Sequence, residues 1–299
     1  NLYAGASSAT RDRGASPSAR EGDLLATTSR DAPCPDGRPT RAAQIDAFGD
    51  GACARMTDGT LRCWGSNAFG QLGIGTTARR SLPTLVPGLR DVVDLTAGGS
   101  HVCARTRGGG ALCWGRNHFG YLGDGTQTDR PSPVAVLLTG VVDQLSAGGD
   151  FTCALETRDD VRCWGYNGDG RLGDGTLAHR NAPETSVRGL AATTRIAAGY
   201  NHACALLRDG AVACWGWNAP GAIGDGSTTD RTTATAVAIA PGVRSLGVGY
   251  HSCAVTTDGD VWCWGANGSG QSGPRSGTTC GAPPLPCEPT PRAVPGVSM

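Results

Sequence analysis

The chain has 299 residues, 26 of them basic and 26 acidic, so its formal net charge is zero. That balance leaves no electrostatic footprint for nucleic acid or an anionic membrane. No run of about 18 apolar residues is present to predict a membrane span. Every basic residue is Arg, Asp far outnumbers Glu, and 47 Gly and 18 Pro supply turn chemistry. Helix-period apolar patterns are not evident, so the composition predicts an all-β protein.

Residues 1–44 are rich in Ala, Ser, Arg, Gly and Thr and read as a flexible or irregular N-terminal segment. The stretch around 38–47 is expected to add a closing outer strand to the last blade of a propeller. The chain opens on Asn1 without an apolar signal segment, which reads as a processed or trimmed product. Cys34 lies in this segment, outside any pair.

From residue 45 onward the chain repeats with a period near 50 residues, in units of about 45–94, 95–144, 145–195, 196–245 and 246–299. Unit two shows the pattern most clearly. Residues 91–97 read as a strand, His101 to Thr106 as a second, Ala111 to Gly115 as a third, and Pro133 to Leu138 as a fourth. A Gly-rich loop, Asn117 to Thr126, joins the last two. Four short strands per unit of this length predict a β-propeller of about five four-stranded blades.

Each unit carries two cysteines ten positions apart: Cys53/Cys63, Cys103/Cys113, Cys153/Cys163, Cys204/Cys214 and Cys253/Cys263. If Cys103 opposes Cys113, then Val102 faces Trp114 and Ala104 faces Leu112 on the other side of the pleat. Directly opposed antiparallel residues lie about 4.5–5.5 Å apart, within reach of a disulfide. The same register leaves a three-residue loop in every unit, ending in Gly59, Gly109, Asp159, Gly210 or Gly259. That last position requires left-handed backbone, which Gly accepts freely and Asp tolerates. Five bridges of this kind predict an oxidising compartment: secreted, periplasmic or cell-surface.

These elements together resemble the regulator-of-chromosome-condensation repeat family. The motif reads Gly98-Gly99-Ser100-His101, Trp114-Gly115, Asn117-His118-Phe119-Gly120-Tyr121-Leu122-Gly123 and Pro133, and its Trp-Gly and Asn recur in every unit. The cysteine-paired form is similar to a bacterial, exported branch. The resemblance implies a seven-bladed propeller, whereas five units are counted. Closure of five blades on themselves is the favoured expectation, and a piece of a longer ring is the alternative. Departures include Gly51 and Phe151 at the His position, and Gly270-Gln271-Ser272-Gly273 in place of Gly-x-Leu-Gly.

His101, His202 and His251 share one repeat position, where a structural role in bonding the turn before each hairpin is favoured over a metal site. Asp124, Asp174 and Asp225 in Gly-Asp-Gly loops read as turn-stabilising residues, because calcium needs more carboxylates than each loop offers. Cys280 and Cys287 flank an insertion, Gly281 to Pro286, that other units lack. They are expected to bridge each other and make a rigid protruding loop. Pro283, Pro284 and Leu285 of that loop, with Trp217 and Trp262, form the candidate binding surface, since function tends to sit on loops carried by a rigid scaffold. Asn267-Gly268-Ser269 matches a glycosylation sequon but overlaps the repeat motif.

No catalytic set, phosphate loop or cofactor motif stands out. The predicted function is a non-catalytic exported scaffold that binds a protein partner. The alternative is a structural or adhesive surface component that self-associates. The resemblance implies partners such as a small GTPase, chromatin or a secreted β-lactamase, none of which transfers to this chain by its residues.

Overall fold

The computed structural model describes residues 40–281 and 284–297. The readings of Cys34, of Pro283 and of most of the N-terminal segment fall outside them.

Twenty strands form five sheets, and each sheet is one blade. Blade 1 comprises β1 (Ala42–Phe48), β2 (Gly51–Met56), β3 (Leu61–Gly65) and β4 (Arg80–Leu85). Blade 2 comprises β5 (Val92–Ala97), β6 (His101–Thr106), β7 (Ala111–Gly115) and β8 (Arg130–Ala135). Blade 3 has β9 (Val142–Ala147), β10 (Phe151–Glu156) and β11 (Val161–Gly165). Blade 4 has β12 (Thr193–Ala198), β13 (His202–Leu207), β14 (Val212–Gly216) and β15 (Arg231–Ala236). Blade 5 has β16 (Val243–Val248), β17 (His251–Thr256), β18 (Val261–Ala266), β19 (Thr279–Cys280) and β20 (Leu285–Ala293).

The central hairpin forms in the register its residues dictate. Cys103 pairs with Cys113, Val102 with Trp114 and Ala104 with Leu112. The disulfides Cys53–Cys63, Cys103–Cys113, Cys153–Cys163, Cys204–Cys214 and Cys253–Cys263 are all formed. One detail of the expectation is corrected. The Cα atoms of each pair lie 4.1 Å apart, below the 4.5–5.5 Å of unbridged partners, because the covalent link draws the two strands together. Asp159 takes the left-handed position with φ of 62°, where Gly59 has 78°. The loop Asn then fixes the segment after the hairpin. Asn117 is fully buried, and its Oδ1 accepts the Leu122 amide at 3.0 Å while its Nδ2 donates to Thr126 O and Thr128 O.

Blade 3 departs from the four-strand pattern. Its outer segment keeps only isolated bridges, Arg162 to Ser186 and Gly165 to Arg180. Seven positions separate Arg180 from Val187, where six separate Arg130 from Val136 and Arg231 from Val237. The extra residue breaks the ladder, and Arg162 Nη1 donates to Pro183 O where the outer strand would run.

The core is built as seams between neighbouring blades. One blade offers its disulfide face, and the next offers its Trp face. Cys103, Cys113, Leu122 and Val136 of blade 2 meet Leu145, Ala154 and Trp164 of blade 3. The same pairing recurs between blades 1 and 2 through Cys53 and Cys63, between blades 3 and 4 through Cys153 and Cys163, and between blades 4 and 5 through Cys204 and Cys214. Trp114, Trp164, Trp215 and Trp264 each donate Nε1 into the preceding blade, to Gln71 O, Tyr121 O, Arg171 O and Ala222 O respectively.

Two larger expectations are also corrected. Residues 42–48 form the first strand of blade 1, paired with β2, and add nothing to the last blade. Nor do the five blades close. Among the described residues no seam joins blade 5 to blade 1. Ile45 is 65% exposed, whereas its counterparts Leu95 and Leu145 are 3% and 5% exposed. Trp64 is only half-buried, while the other four repeat Trp residues are fully buried. Five blades at this spacing form an open arc.

Candidate binding surface

In each blade the turn before the second strand and the loop after the third strand share one edge. The first-strand ends of all five blades converge there on a shallow depression of about 270 Å³, lined by Ala97 to Gly99, Ala147 to Gly149 and their counterparts. Small residues dominate because the blades touch through backbone: Gly99 N donates to Gly149 O, and Tyr200 N to Gly249 O.

The hairpin cysteines take no part in this edge. Cys53, Cys63, Cys103, Cys113, Cys153, Cys163, Cys204 and Cys214 are buried in the four seams. Cys263 is buried as well, and Cys253 is half-buried on the outer face of the last blade. Their role is to fasten and fill, and no ligand reaches the eight seam sulfurs in the folded chain.

The repeat histidines do not face the depression either. His101 and His202 are fully buried in the seams. His101 Nε2 lies 2.8 Å from Thr152 Oγ1 on the next blade, and Thr152 Oγ1 donates to Tyr121 O at 2.8 Å. A hydroxyl has one proton, so Thr152 accepts from His101 and the ring is the Nε2–H tautomer. His202, Ser252 and Ala222 O repeat the relay. The expectation that these rings bond the turn of their own hairpin is therefore corrected: they bond the neighbouring blade. Their Nδ1 atoms are buried without a partner. Burial pushes His101 down to about 4 and His202 down to about 3, the latter with smaller contributions from His251 and Arg171.

The loop carboxylates act within their own turns. Asp124 Oδ1 accepts from Thr126 N and Oγ1, and Oδ2 accepts from Arg130 Nε at 2.7 Å. Although burial opposes it, these donors hold Asp124, Asp174 and Asp225 below the usual carboxylate range. Asn267 of the sequon is fully buried and donates to Gly273 O and Glu288 Oε1, so its amide is not accessible.

Among the described residues the insertion has no counterpart in the other blades. Thr279 and Cys280 pair with Pro286 and Leu285, and Cys280 is bonded to Cys287. Glu288 anchors its base, accepting from Ser276 N at 2.9 Å and from Asn267 Nδ2 at 3.2 Å. Hydrogen bonds from Ser276, Asn267 and Arg292 hold the Glu288 carboxyl below its ordinary value against the cost of burial. The fastened hairpin leans toward blade 4 and encloses a cleft of about 450 Å³. Trp217, Ala219 and Pro220 form one wall, Leu285 and Pro286 the other, with Tyr250 and Gln271 between them. No charged side chain lines it. Leu285 is 63% exposed, and Tyr250 stacks on Tyr200 with ring centroids 4.6 Å apart.

The structure thus brings Trp217 and Leu285 together across two blades. Trp262 does not join them: it is half-buried on β18, paired with Ala254 and Ala293. Pro284 is exposed at the tip of the insertion. Sequence reasoning missed Tyr200 and Tyr250. Their signal was available, because units two and three hold Gly99 and Gly149 at that place. It also missed a second aromatic group on the same edge, where Phe119 meets Tyr166 and His179 at 4.9 and 5.0 Å.

Repeated four-strand sheets, seams of alternating faces and small axial residues define a β-propeller-type repeat protein with a loop-built binding edge. Residues 11–297 match the model of the RCC1-like domain, and the chain belongs to that family. Human WBSCR16 is 21% identical with a TM-score of 0.74, over 90% of this chain and 71% of that one. Yeast RCC1 (Prp20), solved bound to Kap60, is 23% identical with a TM-score of 0.73, over 85% of this chain and 63% of that one. A Saccharomyces cerevisiae Prp20p structure is 24% identical with a TM-score of 0.73 over 85% of this chain, which spans 65% of it. These likenesses concern the fold. The chain spans about two thirds of the length of each yeast structure. No curated protein matches the chain.

Proposed function

We propose that this protein is an exported, non-catalytic scaffold whose cleft between blades 4 and 5 receives an apolar segment of a protein partner. The observation that carries this reading is the cleft itself: an uncharged groove with exposed Leu285 and Tyr250, braced by an insertion that other blades lack. Exposed aromatic and aliphatic groups around a rigid pocket are the usual anchors of protein recognition. Yeast Prp20, of the same fold, was studied for its binding to Gsp1p and histones, which supports the protein-binding class without supplying the partner. Six disulfides support a non-cytoplasmic setting, and no helix among the described residues is long and apolar enough to cross a membrane.

Random-peptide phage display against the whole chain tests this. Selected peptides are expected to be apolar or aromatic and to lose binding to Trp217→Ala and to Leu285→Ser. Peptides that bind both variants as well as the parent would show that the cleft is not the site. Thiol labelling of the protein taken directly from its cells tests export, since cytoplasmic protein would carry free cysteines.

A further inference from the structure

One arginine recurs at the start of the outer segment in units one to four: Arg80, Arg130, Arg180 and Arg231. In three of them a carboxylate of the same loop answers it. Arg130 Nε donates to Asp124 Oδ2 at 2.7 Å, Arg231 Nε to Asp225 Oδ2 at 2.7 Å, and Arg180 Nε and Nη2 to Asp174 Oδ2 at 3.2 and 3.1 Å. Unit one has Ile74 at the Asp position, packed against the seam between blades 1 and 2. Arg80 therefore keeps the cation and lacks the partner.

The residue just before the Arg changes as well. In units two and four it is Asp129 or Asp230, whose Oδ1 accepts from the Asn117 or Asn218 amide at 2.7 Å. In unit three His179 Nδ1 accepts from Asn167 N at 2.9 Å. Unit one has Arg79 there, and a guanidinium accepts nothing. Where units two and four carry two Asp and one Arg, unit one carries two Arg and no acid.

Among the described residues neither Arg79 nor Arg80 meets a carboxylate, and the Arg80 guanidinium reaches Arg79 O at 3.3 Å. Both line a cavity of about 640 Å³ together with Ser66 and Ser81, and Asp50 lines it without pairing with either arginine. The Arg position is open to solvent even where two blades meet. Blade 1 lies over Pro131, with Gly75 N donating to Pro131 O, yet the Arg130 side chain is still 34% exposed.

We propose that Arg79 and Arg80 form a binding site for an acidic peptide segment, whose Asp or Glu side chain takes the place of the missing loop carboxylate. The three intact pairs are the template for the contact at Arg80, and the planar guanidinium fork suits a carboxylate. A single exposed ion pair contributes little, so the segment carries a second acidic side chain for Arg79. Ser66 and Ser81 supply hydroxyl donors in the same cavity. The site shares no residue with the uncharged cleft between blades 4 and 5 and takes a partner of different chemistry.

Titration of the whole chain with a capped hexaglutamate peptide, followed by calorimetry at low salt, tests this. Hexaglutamate is expected to bind, and capped hexaglutamine is not. Arg80→Gln should weaken binding by about tenfold or more, while Arg90→Gln, an exposed arginine of the same blade, should leave it unchanged. Ile74→Asp supplies the carboxylate that the other loops carry, and is expected to weaken binding as much as Arg80→Gln does. Its melting temperature shows whether it is folded, and if it is not, Arg80→Gln decides alone. Inorganic phosphate at ten times the peptide concentration should not displace the peptide. Absence of hexaglutamate binding, equal binding by Arg80→Gln, or equal loss in Arg90→Gln overturns the proposal. So does displacement by phosphate, which would assign the arginines to a phosphate group.

Discussion

His101 Nε2 donates to Thr152 Oγ1 at 2.8 Å, joining blade 2 to blade 3 through two side chains that are both fully buried. Thr152→Val keeps the shape and removes the acceptor, leaving a buried N–H unpaired. The expected cost is about 1–3 kcal/mol in urea unfolding. The double variant His101→Phe/Thr152→Ala imports the combination that Phe151 and Ala203 make naturally at the next seam. It is expected to cost less than its two single changes added together. Simple additivity would mean that the pair is not a unit.

Stability should fall on mild acidification, and the sign follows from the tautomer. His101 and His202 have folded values of about 4 and about 3, below the ordinary 6.5. Below pH 6.5 the unfolded chain takes up protons that the folded chain refuses, so stability declines until each folded value is reached. His251 is also lowered by burial and acts in the same direction. Asp124, Asp174 and Asp225 are held down and contribute a further loss only below 3.8. Burial raises Asp46 and Asp230, which act in the opposite sense above 3.8. Melting temperatures measured from about pH 7 down to about pH 4 should therefore fall, and His101→Phe/Thr152→Ala should flatten the fall. An unchanged slope in that variant would remove His101 from the account.

The hairpin was legible before the fold because its constraints are local. Side chains alternate, ten positions separate the cysteines, and one turn position needs positive φ, so Cys103 opposite Cys113 and Asp159 in the left-handed region followed directly. The cleft was legible in its parts only. Trp217 and Leu285 stood out as departures from the repeat, but their meeting at one cleft depends on how two blades sit side by side, which periodicity does not encode. The His relay was hidden for the same reason, since His101 and Thr152 lie 51 positions apart. Ring closure was left between two readings, because unit count alone does not set the angle between blades.

The in-hairpin disulfides and the insertion disulfide should separate in their effects. Replacing Cys103 and Cys113 together by Ala opens a link spanning 10 positions inside a seam, at a cost of about 3 kcal/mol by chain entropy. Cys280 and Cys287 lie outside the four seam clusters. Their joint replacement by Ala is expected to lower the melting temperature less, and to weaken peptide binding at the cleft more. Calorimetry with titration of a selected peptide checks both. A larger loss of stability from the second pair would make the insertion part of the core.

Asp174 offers the sharpest test of the loop chemistry. It is 2% exposed, and its Oδ1 accepts from Thr176 N and Oγ1 at 2.9 and 2.7 Å. Its Oδ2 accepts from Arg180 Nε and Nη2 at 3.2 and 3.1 Å. Asp174→Ala would leave a half-buried guanidinium and the Thr176 donors without that acceptor, for an expected loss of about 2 kcal/mol. Asp174→Asn keeps an acceptor for Thr176 but gives up the charge that Arg180 uses, so its stability should fall between those of the parent and the Ala variant. Unit one shows which part is dispensable. Ile74 stands at the Asp position there, and Asn67 still donates to Thr76 O and Ala78 O at 2.8 and 2.9 Å. The loop backbone is therefore held by the Asn, while the Asp fastens the Arg of the outer segment. Proteolysis in blade 3 should report the difference, with Asp174→Ala opening the segment after Arg180 while the Asn167 loop stays protected. Equal protection of both segments would assign the carboxylate no fastening role.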